Sequence, residues 1–163
     1  MNDIKIQKRS KRKKRRELIQ YTANYLIKEL KKEGIVVQRY NSKTSHSIYL
    51  KLDYGVLPSI RISDHKSKET YKYNVLTICQ KPVEKTFNGM QCYFIPLKDK
   101  QLLIDMIREN RRELLSYGKE NYQTFMNIKI AENYAKTGFW QCGEINVNKG
   151  GIDKNETKEI ILV

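Results

Sequence analysis

Two short stretches hold the side chains able to do chemistry. Hydroxyls cluster at Ser42, Thr44, Ser45, Ser47 and Tyr49, and a guanidinium, a carboxylate and an imidazole follow at Arg61, Asp64 and His65. If residues 47–53 pair with 59–63 as a hairpin, Tyr49 and Arg61 share one outward face, and Lys51 belongs to the same face. A guanidinium beside hydroxyls and an aromatic ring suits a phosphate or a ribose. The same residue types also suit a structural corner. Asp64 would then accept backbone N–H groups, the serines would satisfy loop amides, and His65 would pack nearby.

Catalysis finds less support. His46 and His65 are the only histidines. A hydrolase built from His65, Asp64 and a serine is disfavoured, because neighbours along a strand point to opposite faces. No G-x-S-x-G, P-loop or H-E-x-x-H pattern is present. The acids Asp53, Asp64, Glu69 and Glu84 are scattered, whereas a nuclease wants clustered carboxylates for metal ions. Cys79, Cys92 and Cys142 are odd in number and lack C-x-x-C spacing, which reads as free thiols in a reducing compartment and as no zinc site. The expectation is a protein that is not an enzyme and carries no metal or cofactor.

The strongest compositional signal lies near the start. The run KRSKRKKRR at 8–16 contains Lys8, Arg9, Lys11, Arg12, Lys13, Lys14, Arg15 and Arg16. With Lys5 and against Asp3 alone, residues 1–16 hold a net +8 of the chain's +14. Each Lys or Arg that neutralises a phosphate releases counterions, so this density gives salt-dependent, sequence-blind affinity for nucleic acid. It excludes a DNA mimic, which must be acidic. A polybasic segment without a lipidation site anchors weakly to a bilayer, and no apolar run is long enough to span one. No membrane partner is expected, and the protein is placed in the cytosol.

These residues need elements to position them. Residues 17–33 read as an amphipathic helix, with Leu18 or Ile19, Thr22 or Ala23, Leu26 or Ile27, and Leu30 at helical spacing, and Gly34 as its stop. The pattern can run back through the basic segment as one long helix, opposed by cation repulsion and by the positive end of the helix dipole. Strand-like runs follow at 35–40, 47–54, 59–63, 73–79 and 91–95, the last after the turn signal Asn88-Gly89. Short connections favour an antiparallel meander. A second helix is expected at 100–116, capped by Asp99, with Leu103, Ile107 and Leu114 on one face. A third is expected at 119–136, with Tyr122, Phe125, Met126 and Tyr134 as its apolar members. Two extended pieces around Asn148-Lys149-Gly150-Gly151 suggest a C-terminal hairpin.

The expected fold class is therefore α+β: an N-terminal helix, an antiparallel sheet of about four strands, two further helices and a C-terminal hairpin. The helices cover one sheet face. Residues 1–16 form a basic arm, flexible or a helix extension, and 17–163 form a single domain.

The pairing of SKTSHSIYLKL with SIRISDHKS, followed by a Tyr-containing strand, resembles a core found in small phage and mobile-element proteins of Gram-positive bacteria. It is similar in particular to a type II-A anti-CRISPR family that joins a basic N-terminus, a helix and an S-x-x-S-x-Y…I-R-x-S-x-H strand pair. By position the match covers Ser42, Ser45 or Ser47, Tyr49, Ile60, Arg61, Ser63 and His65, within residues 42–79. The arm matches in character only, and residues 97–163 have no counterpart. The resemblance implies a phage protein in the bacterial host cytoplasm that inhibits a type II RNA-guided effector nuclease by binding the effector, its guide RNA or both. The alternative is a stand-alone nucleic-acid-binding phage protein.

Overall fold

The computed structural model describes residues 2–64, 72–76, 80–134 and 144–145. Helix α1 runs unbroken from Asn2 to Lys32. Its C-terminal half buries Ile19, Thr22, Ala23, Leu26, Ile27 and Leu30, the stripe that helical spacing places on one side. Gly34, at φ +76°, ends it. Gly34 N–H donates to Lys31 O at 2.9 Å and Ile35 N–H to Leu30 O at 3.2 Å. This is a Schellman closure, with Ile35 and Leu30 both in the core. Residues 2–18 are all exposed, and the first turns of the helix lie clear of the core.

The sheet contains β1 (Val37–Asn41), β2 (Ile48–Leu52), β3 (Leu57–Ser63), β4 (Tyr73–Leu76), β5 (Val83–Phe87), β6 (Met90–Pro96) and a two-residue pairing segment, β7 (Glu144–Ile145). Their spatial order is β5-β6-β4-β3-β2-β1-β7. Two expectations are corrected here. The sheet has six full strands, not about four, and it is mixed, because β4 pairs in parallel with both β3 and β6. Strand β4 is buried at every position, as a central parallel strand must be. Strand β5 leaves no strand signal in the sequence, because Val-Glu-Lys-Thr-Phe is exposed throughout and has no buried apolar face. Its position follows from the turn at Asn88 (φ +49°) and Gly89 (φ +74°), a two-residue hairpin of the kind Asn-Gly favours. Apart from Glu144 and Ile145, the expected C-terminal hairpin lies outside the described residues.

Helix α2 (Lys100–Ser116) buries Leu103, Ile104 and Ile107. Asp99 precedes it, but the Asp99 side chain makes no capping hydrogen bond. Helices α1 and α2 both pack on the sheet face made by Ile48, Leu50, Leu52, Ile60, Ile62, Tyr73, Val75 and Ile95. Helix α3 (Lys119–Tyr134) builds a smaller cluster from Tyr122, Met126 and Ile130 around Tyr54. Phe125, expected among its apolar contacts, is exposed.

Candidate nucleic-acid interface

The buried stripe of α1 continues past the core as charge. Counting back from Ile19 by three and four residues reaches Arg16, Arg15, Arg12, Arg9, Lys8 and Lys5. At 3.6 residues per turn these six fall within an arc of about 120°. Lys11 and Lys13 lie at its two margins, each about 40° outside the arc, and Lys14 points away. The side of α1 that binds the sheet with aliphatics is thus mainly cationic where it projects, with Ile4 in line with Thr22 at its edge. Like charges three and four apart each cost a helix about 0.2–0.5 kcal/mol, and cations at the N-terminal end oppose the dipole. An anion laid along this face relieves both.

At its inner end the basic face meets the β1–β2 loop. Ser42 N–H donates to Ser47 O at 3.0 Å, which closes the loop. The Ser42 hydroxyl accepts from the N–H groups of Ser45 (3.1 Å) and Thr44 (3.3 Å), and the Ser45 hydroxyl accepts from Ser47 N–H at 3.3 Å. The serines satisfy loop amides, as the structural reading of this stretch required. Between loop and helix lies a cleft of about 330 Å³. Helix α1 contributes Arg12, Arg15, Arg16 and the buried Ile19 to it, and the loop contributes Thr44, Ser45 and His46. Asp64, at the end of β3, completes the wall, with Oδ2 4.0 Å from Arg15 Nη1.

The hairpin predicted from 47–53 and 59–63 is present, and Tyr49 and Arg61 are direct partners across it. The Arg61 guanidinium lies 5.8 Å from the Tyr49 ring centroid, and Nη2 donates to the Ser47 hydroxyl at 3.3 Å. The outward orientation is corrected. Arg61 has 0% exposure, Lys51 6% and Tyr49 8%. The sheet face away from α1 and α2 is interior, with Ser63, Asn74 and Phe94 buried beside them. Arg61 therefore braces the hairpin from inside. Burial, together with nearby Lys129, pulls the Lys51 ammonium below its ordinary value, with Glu132 opposing. His65 lies outside the described residues, as do Cys79 and Cys142. Cys92 is buried as a free thiol.

A second polar centre gave no signal in the sequence. Asp53 is buried at 1% exposure in a left-handed turn, with φ +45° there, +58° at Tyr54 and +103° at Gly55. Its Oδ1 accepts from Val36 N–H at 2.9 Å, and its Oδ2 accepts from the Tyr122 hydroxyl and lies 3.5 Å from Arg111 Nε. Burial, then the Asp53 carboxylate, pushes the Tyr122 hydroxyl well above the usual tyrosine range. One carboxylate so joins the start of β1, the β2–β3 turn, α2 and α3. Consecutive positive φ angles at two non-glycine residues are costly, and these contacts hold them.

Among the described residues no three His, Cys, Asp or Glu side chains form a metal-binding group. None of the described helices is long and apolar enough to cross a membrane. The chain matches no protein-family model, and no curated protein or solved structure matches it.

Proposed function

We propose that this protein acts by binding and not by catalysis, gripping an RNA phosphate backbone with the cationic face of α1. The RNA is the guide of a type II CRISPR effector, and its capture stops that effector in the cytoplasm of a bacterial host. The observation that carries the reading is the continuation of a core-packing helix stripe into Lys5, Lys8, Arg9, Arg12, Arg15 and Arg16. Six of the nine cations in residues 2–16 share one third of the helix surface, which a solubilising tail does not require, and the cleft at its inner end adds hydroxyl donors suited to phosphate. The choice of effector rests on the strand-pair resemblance. Guide-loaded effectors carry RNA phosphate that a basic protein reaches without entering the basic target channel.

Immobilised full-length protein tests this when challenged with guide-loaded and guide-free effectors. Retention of the loaded form alone, with loss of target cleavage, is expected, and free guide RNA binds less tightly. If no effector in a type II panel is inhibited while free RNA is retained, the protein is a stand-alone RNA binder instead.

A further inference from the structure

The cleft between α1 and the β1–β2 loop has a composition that phosphate alone does not explain. Arg12 and Arg16 suit an anion, and the Thr44 and Ser45 hydroxyls can donate to one. Asp64, in the same wall, repels an anion. Arg15 Nη1 stands 4.0 Å from it, a weak charge contact that leaves the carboxylate in the wall. A ligand that satisfies both ends carries a phosphate and, a few ångströms away, a hydroxyl donor. A ribonucleotide is such a ligand. A carboxylate has about four lone-pair sites, so Asp64 can accept a sugar hydroxyl in addition to its contacts within the protein. The cleft's volume, about 330 Å³, is that of a small-molecule site and too small for a duplex. His46 is exposed and supplies a planar ring on which a base can stack.

We propose that this cleft holds one ribonucleotide of single-stranded RNA, with its phosphate on Arg12 and Arg16 and its 2′-hydroxyl donating to Asp64. The cationic face then supplies affinity, and Asp64 supplies the preference for RNA over DNA. The inference rests on the phosphate-gripping half of the proposed function and not on the identity of the effector.

The test is fluorescence anisotropy of the full chain with single-stranded oligonucleotides of one sequence, carrying ribose, 2′-deoxyribose or 2′-O-methylribose, at one salt concentration. RNA binds about tenfold more tightly than DNA, the worth of one hydrogen bond to a charged acceptor. The 2′-O-methyl strand, which has lost its donor, behaves like DNA. Asp64→Ala abolishes the preference by weakening RNA binding alone, whereas Arg12→Ala weakens RNA and DNA by the same factor. Asp64→Asn keeps an acceptor and retains part of the preference, and an unchanged melting temperature in each variant shows that the fold is intact. Equal affinity for RNA and DNA overturns the proposal. So does an equal loss for both in Asp64→Ala, since Asp64 would then only position Arg15. An RNA preference in a protein that inhibits no effector leaves this inference standing and removes the inhibitory function.

Discussion

Arg15 Nη1 stands 4.0 Å from Asp64 Oδ2, where α1 passes the end of β3. The two side chains are 55% and 26% exposed, so the pair itself contributes about 0–1 kcal/mol. Core packing of Ile19 and the rest of the α1 stripe, not this pair, sets three arginines across from the hydroxyls of the β1–β2 loop.

We predict that the faces of α1 are unequal in RNA binding. Replacing Lys5, Lys8, Arg9 and Arg12 with Gln lowers the slope of log affinity against log salt by about 0.7 per contacting cation removed. Lys14→Gln, on the far side of the helix, changes affinity less per charge. Titrations across a salt series separate the two. Equal losses per charge on both faces would reduce the arm to a sequence of charges without geometry.

Amide exchange along α1 should divide near Leu18. Residues 19–30 are locked by core packing, whereas residues 2–16 bury no side chain and carry like charges at helical spacing. Exchange in 2–16 is predicted to be faster in the free protein and to slow when RNA is added. Protection in 2–16 that is already equal to that of the core would mean that the arm needs no anion to stay helical.

Asp53 is expected to be the costliest single polar residue to remove. Asp53→Ala removes a buried carboxylate from beside the partly exposed Arg111 and loses the Tyr122 and Val36 hydrogen bonds, for about 3 kcal/mol. Tyr122→Phe loses one hydrogen bond to a charged acceptor, about 1.5–3 kcal/mol. Urea unfolding midpoints measure both. RNA binding should survive in each variant, because Asp53 bonds beside the C-terminal end of α1 and not the basic end. A loss under 1 kcal/mol for Asp53→Ala would show that the hub is dispensable.

How far the sequence reveals this arrangement depends on periodicity. The core stripe of α1, its Gly34 stop, the hairpin that pairs Tyr49 with Arg61 and the bounds of α2 follow from spacing and turn residues. The cationic face is legible too, by stepping the stripe back from Ile19 in threes and fours. The cleft is not, because it joins residues near 12, 45 and 64 that only tertiary packing brings together. Alternation along β2 and β3 separates two faces without telling which one meets water, so Arg61 and Lys51 look exposed until burial is seen. Strand β5 lacks any apolar alternation, and parallel pairing of β4 leaves no mark in its own four residues. Asp53 reads as one more surface acid, since its partners Arg111 and Tyr122 come from distant helices.

Alkaline conditions should weaken the fold. The Tyr73 hydroxyl is pushed up to about 12 by burial and by Tyr93, with the hydrogen bond from Asn110 pulling the other way. Unfolded tyrosine ionises near pH 10. Between these values the unfolded chain has shed a proton that the folded chain keeps, so stability falls as pH rises from 10 towards 12 and is unaffected by this group below 10. Tyr122, also raised, steepens the decline. Unfolding midpoints measured from pH 8 to 11.5 should show the loss, and Tyr73→Phe should flatten it.

The decisive measurement is cleavage by a guide-loaded type II effector in the presence of full-length protein, compared with a variant carrying Gln at positions 5, 8, 9, 12, 15 and 16. The wild-type chain is predicted to bind the loaded effector and stop cleavage, with inhibition fading as salt rises, and the variant to keep its fold and lose both. Undiminished inhibition by the folded variant would mean that the basic face of α1 is not what grips the effector.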